Sequence, residues 1–130
     1  MAMAKRKNFS SGAQWEDIVG YSRAVLCGDT LEVSGTVAVN DGGVVGKGDV
    51  YAQTRFIIQK IEKVMKEAGF SLEDVVRTRT YVLDISQWEA VGRAHGEFFG
   101  TIKPATSMVE VSRLIGPDYL VEIEVTARKH

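Results

Sequence analysis

The stretch from Lys103 to Ala127, KPATSMVEVSRLIGPDYLVEIEVTA, alternates apolar and polar residues on both sides of a Gly116-Pro117 pair. A period of two belongs to a strand whose two faces meet different surroundings. Val109 and Val111 share one side of the first segment, and Val121, Ile123 and Val125 share one side of the second. Thr106, Met108, Glu110, Glu122 and Glu124 take the other side. The pattern predicts a half-buried antiparallel hairpin whose outer face carries carboxylates and needs water or a partner against it.

The residues upstream supply strands and two helices. Tyr21 to Leu26 and Thr30 to Val39 read as strands joined at Gly28-Asp29, with Leu31, Val33 and Val37 on one face. Ser34-Gly35-Thr36 breaks the second strand with a glycine, the mark of a bulge or of close backbone approach. Asn40-Asp41-Gly42-Gly43 is a turn, followed by a short strand at Val44-Val45. Asp49 is an N-cap for a helix from Val50 to about Ala68, where Ile57, Ile61, Val64, Met65 and Ala68 form a stripe and Gly69 gives the left-handed stop. Lys60, Glu62, Lys63, Lys66 and Glu67 then form a solvated face. Val75 to Leu83 is a strand with Val76, Thr78, Thr80 and Val82 toward the core and Arg77, Arg79 and Tyr81 away from it. Ser86 with Glu89 reads as a capping box for a second helix ending at Phe99, with Trp88, Val91, His95, Phe98 and Phe99 on its apolar side.

This order predicts an α+β two-layer sandwich, a mixed sheet of five or six strands with both helices on one face. The second face collects Glu32, Ser34, Thr36, Arg77, Arg79, Tyr81, Thr106, Met108, Glu110, Glu122 and Glu124. Its mixture of aromatic, Met and paired Arg and Glu groups favours burial between subunits over exposure to water. A symmetric oligomer is the resulting expectation.

At 130 residues the chain suits a single domain over 1–130, since about 70% of the unfolded surface is removed at this size. Residues 1–19 are expected as N-terminal tail and loop, with Phe9 and Trp15 folding back onto the body. The 16 basic and 17 acidic residues leave no field that would attract nucleic acid. Lys5, Arg6 and Lys7 precede no apolar segment of signal-peptide type, and no stretch resembles a membrane span, so a cytoplasmic protein is expected. Cys27 is the only cysteine and His95 and His130 the only imidazoles. An internal disulfide is excluded, no zinc spacing is present, and neither metal nor cofactor is expected.

Gly20-Tyr21-Ser22-Arg23-Ala24-Val25, Val33-Ser34-Gly35-Thr36, Gln53-Thr54-Arg55 and Glu97-Phe98-Phe99 occur in that order. Lys103-Pro104-Ala105, Val109-Glu110-Val111, Arg113-Leu114 and Val121-Glu122-Ile123-Glu124 follow. Together they resemble the RidA/YjgF family of small trimeric enamine/imine deaminases over nearly the whole chain. The resemblance implies a chorismate-mutase-like fold and a homotrimer whose sheets form an inner barrel, with three clefts between subunits. It also implies that Glu122 activates the hydrolytic water, with Tyr21, Ser34, Gly35 and position 106 contacting a small polar metabolite. Active members carry an arginine at that last position to grip the substrate carboxylate; here it is Thr106. Losing one bidentate charge-assisted pair costs ~1.5 to 3 kcal/mol of binding. Gly92 stands where many deaminating members have an asparagine, and Arg23, Arg77 and Arg79 are the candidate replacement cations.

Two functional readings follow. One is hydrolysis of a reactive enamine or imine to a carbonyl compound and ammonia, which needs a positioned water, a carboxylate base and donors for the polarised substrate. The other is a non-enzymatic ligand-binding or chaperone-like trimer. Ribonuclease activity, reported for some relatives, ranks last because it predicts a basic groove.

Overall fold

The structure, a computed structural model, describes residues 5–130; residues 1–4 of the expected tail lie outside the described residues. The remainder of that tail is more ordered than its polar sequence suggested. Arg6–Phe9 is a strand, β1, paired antiparallel with β2 (Ala24–Cys27). Phe9 packs against the core, whereas Trp15 stays 57% exposed beside a short helical turn at Glu16–Gly20.

The strand β3 (Thr30–Thr36) returns from β2 across Gly28, whose φ of +61 is the left-handed conformation a tight hairpin needs. The short strand expected at Val44-Val45 is β5 (Gly43–Val44), shifted by one residue, and it pairs with β4 (Val39–Asn40) in a small hairpin apart from the main sheet. Helix α1 (Val50–Glu67) begins at Asp49, whose carboxylate accepts from Ala52 N at 3.0 Å, and ends before Gly69 at φ +83. Then follow β6 (Val75–Val82), α2 (Trp88–Phe99), β7 (Ala105–Glu110) and β8 (Val121–Arg128).

The main sheet runs β1-β2-β3-β8-β6-β7, with every pair antiparallel except β6 and β7. The β3-α1-β6 and β6-α2-β7 connections move the same way across the sheet between parallel strands. Such crossovers are right-handed, which places both helices on one face. Ile57, Ile58, Ile61 and Met65 of α1 are fully buried over Leu31, Val33, Ile123 and Val125. Each such side chain contributes about 1.5–3 kcal/mol on burial, so α1 is the main cover of the core. The α+β two-layer sandwich expected from the sequence is the fold found.

Several placements differ from the alternation. β7 and β8 are not a hairpin, because β6 lies between them. The intervening chain crosses the end of the sheet, held by buried Gln53, which donates to Asp118 O and Gly46 O and accepts from Leu120 N. β7 also has the opposite phase. Its register on β6 pairs Thr106 with Thr78 and Met108 with Thr80, so Thr106, Met108 and Glu110 face the helical side. Val109 is left 47% exposed on the open side.

Bulges cause the other shifts. Between Val75 and Arg77, β6 spends one residue more than β8, so Val75 and Thr78 both turn inward and Val76 is 45% exposed. Between Val33 and Thr36, β3 does the same opposite Ile123 and Val125, which buries Thr36 instead of placing it on the second face. Ser34-Gly35 thus lies in a β-bulge, one of the two readings that its glycine allowed. The Ser86–Glu89 capping box is absent. Asp84 instead accepts from Ser86 N and Ser86 Oγ, opening a tight turn at Ile85–Gln87 before α2, and Trp88 is 55% exposed.

Candidate functional site

Glu122 follows inward-facing Val121 and precedes inward-facing Ile123, so its carboxylate stands on the open face of β8. Directly beside it is the β3 bulge. A Cβ built on Gly35 would lie 2.2 Å from Glu122 Oε2 and 3.0 Å from its Cδ. Only a residue without a side chain leaves room for the carboxylate there. Glu122 is half-buried, and the loss of solvent raises its pKa above the ordinary 4.5, reinforced by the charge of Glu124 and opposed by Arg23. Among the described residues no side-chain hydrogen bond or ion pair engages Glu122, whereas Glu124 accepts from Tyr81 at 2.7 Å and meets Arg79 at 3.9 Å. Of two neighbouring carboxylates, one is a structural partner and the other is free for a ligand.

Arg23 closes this cluster. Its Nη2 donates to Gly35 O at 2.7 Å, and its guanidinium lies 5.9 Å from the centre of the Tyr21 ring. Its buried Nε has no partner. Ser34 is fixed by donating from N to Arg23 O and from Oγ to Ser22 O. Tyr21 lies at the rim of an open depression of about 440 Å3 that Ser22 and Ser34 also line. Ser34, Gly35 and Glu122 are thus brought together by β3 and β8, and Tyr21, which precedes β2, is linked to them through Arg23. Of the three candidate cations, Arg23 joins them. Arg77 is turned to Ser107 at 2.9 Å and Arg79 to Glu124.

Thr106 is not part of this cluster within one copy. It lies on β7, three strands from β3 and on the other side of the sheet. Its hydroxyl is 2.7 Å from Thr78 Oγ1, which is in turn 2.9 Å from His95 Nε2. His95 stacks on Phe99 with ring centres 4.6 Å apart, and burial lowers its pKa below 6.5. Gly92 stands one turn earlier on α2, and a Cβ there would meet nothing within 4 Å. This end of the sheet therefore presents a neutral hydroxyl chain and open space. The chain from His95 to Thr106 was invisible in the sequence because it depends on the phase of β7.

Two of the quoted motifs have structural roles. Gln53 ties down the chain before β8, and Arg55 pairs with Glu97, which also accepts from Tyr51. Among the described residues, no group of three or more His, Cys, Asp or Glu side chains is arranged to hold a metal. Among the described residues, no helix is long and apolar enough to cross a membrane.

The family described as Endoribonuclease L-PSP matches residues 12–129. A RutC family protein of Pyrococcus abyssi is 38% identical over 128 residues, covering 98% of this chain and 99% of the relative. Rv2704 of Mycobacterium tuberculosis, a member of the YjgF/YER057c/UK114 family, superposes with a TM-score of 0.87 at 49% identity, covering 96% of this chain and 100% of that one. A Rid family protein of Yersinia pestis, YyfA, gives a TM-score of 0.81 at 33% identity, covering 98% of each chain. With the family match spanning nearly all of the sequence and the fold shared throughout, this chain belongs to the RidA/YjgF family, the Endoribonuclease L-PSP group.

Proposed function

We propose that this protein binds a small polar metabolite in clefts between copies of a homotrimer and hydrolyses a reactive imine or enamine there, with Glu122 as the base. The observation that carries the reading is the Glu122 carboxylate, half-buried on the open sheet face, unpaired, and seated against Gly35 beside the Arg23 guanidinium. A raised pKa makes the carboxylate a stronger proton acceptor than an ordinary glutamate. Thr106 lies at the far edge, so it shares a ligand with Glu122 only if a second copy brings its β7 edge to the β3–β8 face of the first.

The reaction asks little of the protein. Water oxygen attacks the imine carbon, Glu122 takes a water proton, and the C=N electron pair moves to nitrogen. Glu122 returns that proton to nitrogen, giving the neutral carbinolamine, then takes the hydroxyl proton and delivers it to nitrogen as the C–N bond breaks and the C=O bond forms, so that ammonia leaves the carbonyl product. An enamine first tautomerises to the imine. In this reading Arg23 and the Ser34-Gly35 backbone hold polar groups of the substrate, and Tyr21 covers its apolar side.

The test is to generate imines in situ with an amino-acid oxidase and follow ammonia and keto-acid release. Wild type is expected to accelerate the decay and Glu122→Ala to abolish the acceleration. If wild type accelerates none across several imines, the hydrolytic reading is lost. In that case the non-enzymatic ligand-binding or chaperone-like trimer is favoured, and one observation supports it: at position 106 a hydroxyl already engaged by Thr78 stands in place of a permanent cation. An RNA substrate is disfavoured by 16 basic against 17 acidic residues.

A further inference from the structure

Beside α1 the molecule has a second concavity, of about 720 Å3, which shares no lining residue with the Glu122 cluster. Its walls are α1, the β4 strand and residues 11–13. Phe56 and Val39 are among its apolar lining residues, and Lys60, Lys63, Gln59 and Asn40 among its polar ones. The volume lies within the ~300–1,000 Å3 of small-molecule sites, and a few polar groups over an apolar lining is their usual chemistry.

The two lysines are the informative part. Lys47, Lys66 and Lys129 each have a carboxylate within 4.0 Å. Among the described residues, Lys60 and Lys63 have none, which is true also of Lys5, Lys7 and Lys103, but these three lie away from the groove. Lys60 is half-buried, and its one hydrogen bond goes to Val39 O at 2.9 Å, which leaves two ammonium hydrogens unused. Burial, and after it the charge of Arg23, lowers its pKa below 10.5, so the protein carries an under-compensated cation there. The one carboxylate in the wall is Asp41, exposed on the turn after β4. Two ammonium groups against one carboxylate leave an excess positive charge. Asn40 Oδ1 accepts from Gly42 N, so its amide NH2 remains available as a donor. A cation that is half out of water and unpaired is stabilised most by an anion that brings its own apolar body into the groove.

We propose that this groove is a second ligand site, separate from the Glu122 cluster, that takes a small organic acid with its carboxylate on Lys60 and Lys63 and its apolar body over Phe56. The proposal is independent of the hydrolytic reading, because no residue is common to the two sites.

The test uses benzoate as probe and benzyl alcohol as its neutral match, followed by amide chemical shifts of the full chain. Benzoate is expected to give saturable shifts at residues 39–41 and 56–63, weakened by salt. Benzyl alcohol, and benzoate with the Lys60→Met/Lys63→Met double variant, are expected to bind at least tenfold more weakly. Glu122→Gln leaves benzoate binding unchanged. Equal binding of benzyl alcohol, undiminished binding by a folded double variant, shifts that map to Gly35 and Glu122, or no saturable shifts would each overturn the proposal. Should the double variant not fold, Lys63→Glu, at an exposed position, is expected to abolish binding, and its retention would overturn the proposal equally.

Discussion

Gly35→Ala separates the fold from the candidate chemistry. The new methyl carbon would sit 2.2 Å from Glu122 Oε2, against the 3.4 Å at which ordinary van der Waals contact begins, so the carboxylate must retreat by about 1.2 Å. The backbone at Gly35 is not left-handed, and alanine itself is conformationally tolerated there. What yields is the end of a flexible side chain, and an off-rotamer displacement of this kind costs about 0.5–1.5 kcal/mol. For a chain of this size that corresponds to a melting temperature lowered by roughly 2 to 8 °C. The effect on proton transfer is far larger, because a base displaced from hydrogen-bond reach forfeits its whole contribution, about 100- to 10,000-fold. The assay pairs thermal unfolding with imine hydrolysis, and adds a carboxyl-carbon NMR titration of Glu122 that needs no turnover. The expected result is a folded protein with lost hydrolysis and a shifted Glu122 titration. A variant with wild-type turnover and an unchanged titration would refute the placement of Glu122 against Gly35.

Glu122→Gln is expected to make the protein more stable at pH 7. A folded pKa above the ordinary 4.5 means the folded state binds more protons than the unfolded one between those two values, so stability falls as pH rises through that window. The gain of the glutamine variant over wild type should shrink toward acid and vanish below pH 4.5; denaturation midpoints that differ equally at every pH would contradict this. Gln53→Leu removes three hydrogen bonds at a fully buried position and is expected to cost about 2 to 4 kcal/mol in denaturant unfolding, with faster amide exchange over 111–120. Thr78→Val leaves His95 Nε2 and the Thr106 hydroxyl without their shared partner, at about 1 to 3 kcal/mol. Light scattering is expected to give three times the mass of the chain, and a monomer at all concentrations would remove the intersubunit cleft.

The elements themselves were legible because each carries its own signal. The Asp49 cap, the isoleucine stripe of α1 and the glycine after it are local, and the structure keeps all three. Relations between elements were not. Alternation in β7 is equally good in either phase, and only its pairing with β6, far away in sequence, sends Thr106 and Met108 toward the helices. The apparent hairpin failed for the same reason, since nothing between Val111 and Leu120 announces that another strand lies between β7 and β8. The candidate site fared better at Ser34-Gly35, where the glycine marked the bulge. Arg23 stood among three possible cations until the geometry turned Arg77 and Arg79 elsewhere.

The position of β8 between β3 and β6 has a consequence for how the molecule is made. β8 follows all the other strands of the sheet in chain order, yet it joins the two halves of the sheet. Until it emerges, β3 and β6 each present an open hydrogen-bonding edge next to apolar surface, a condition that invites pairing with other chains. Its pairing with β3 closes a loop of most of the chain, the slow, non-local kind of contact. The same late strand carries Glu122, so the candidate base takes its place beside Gly35 only when the sheet is complete.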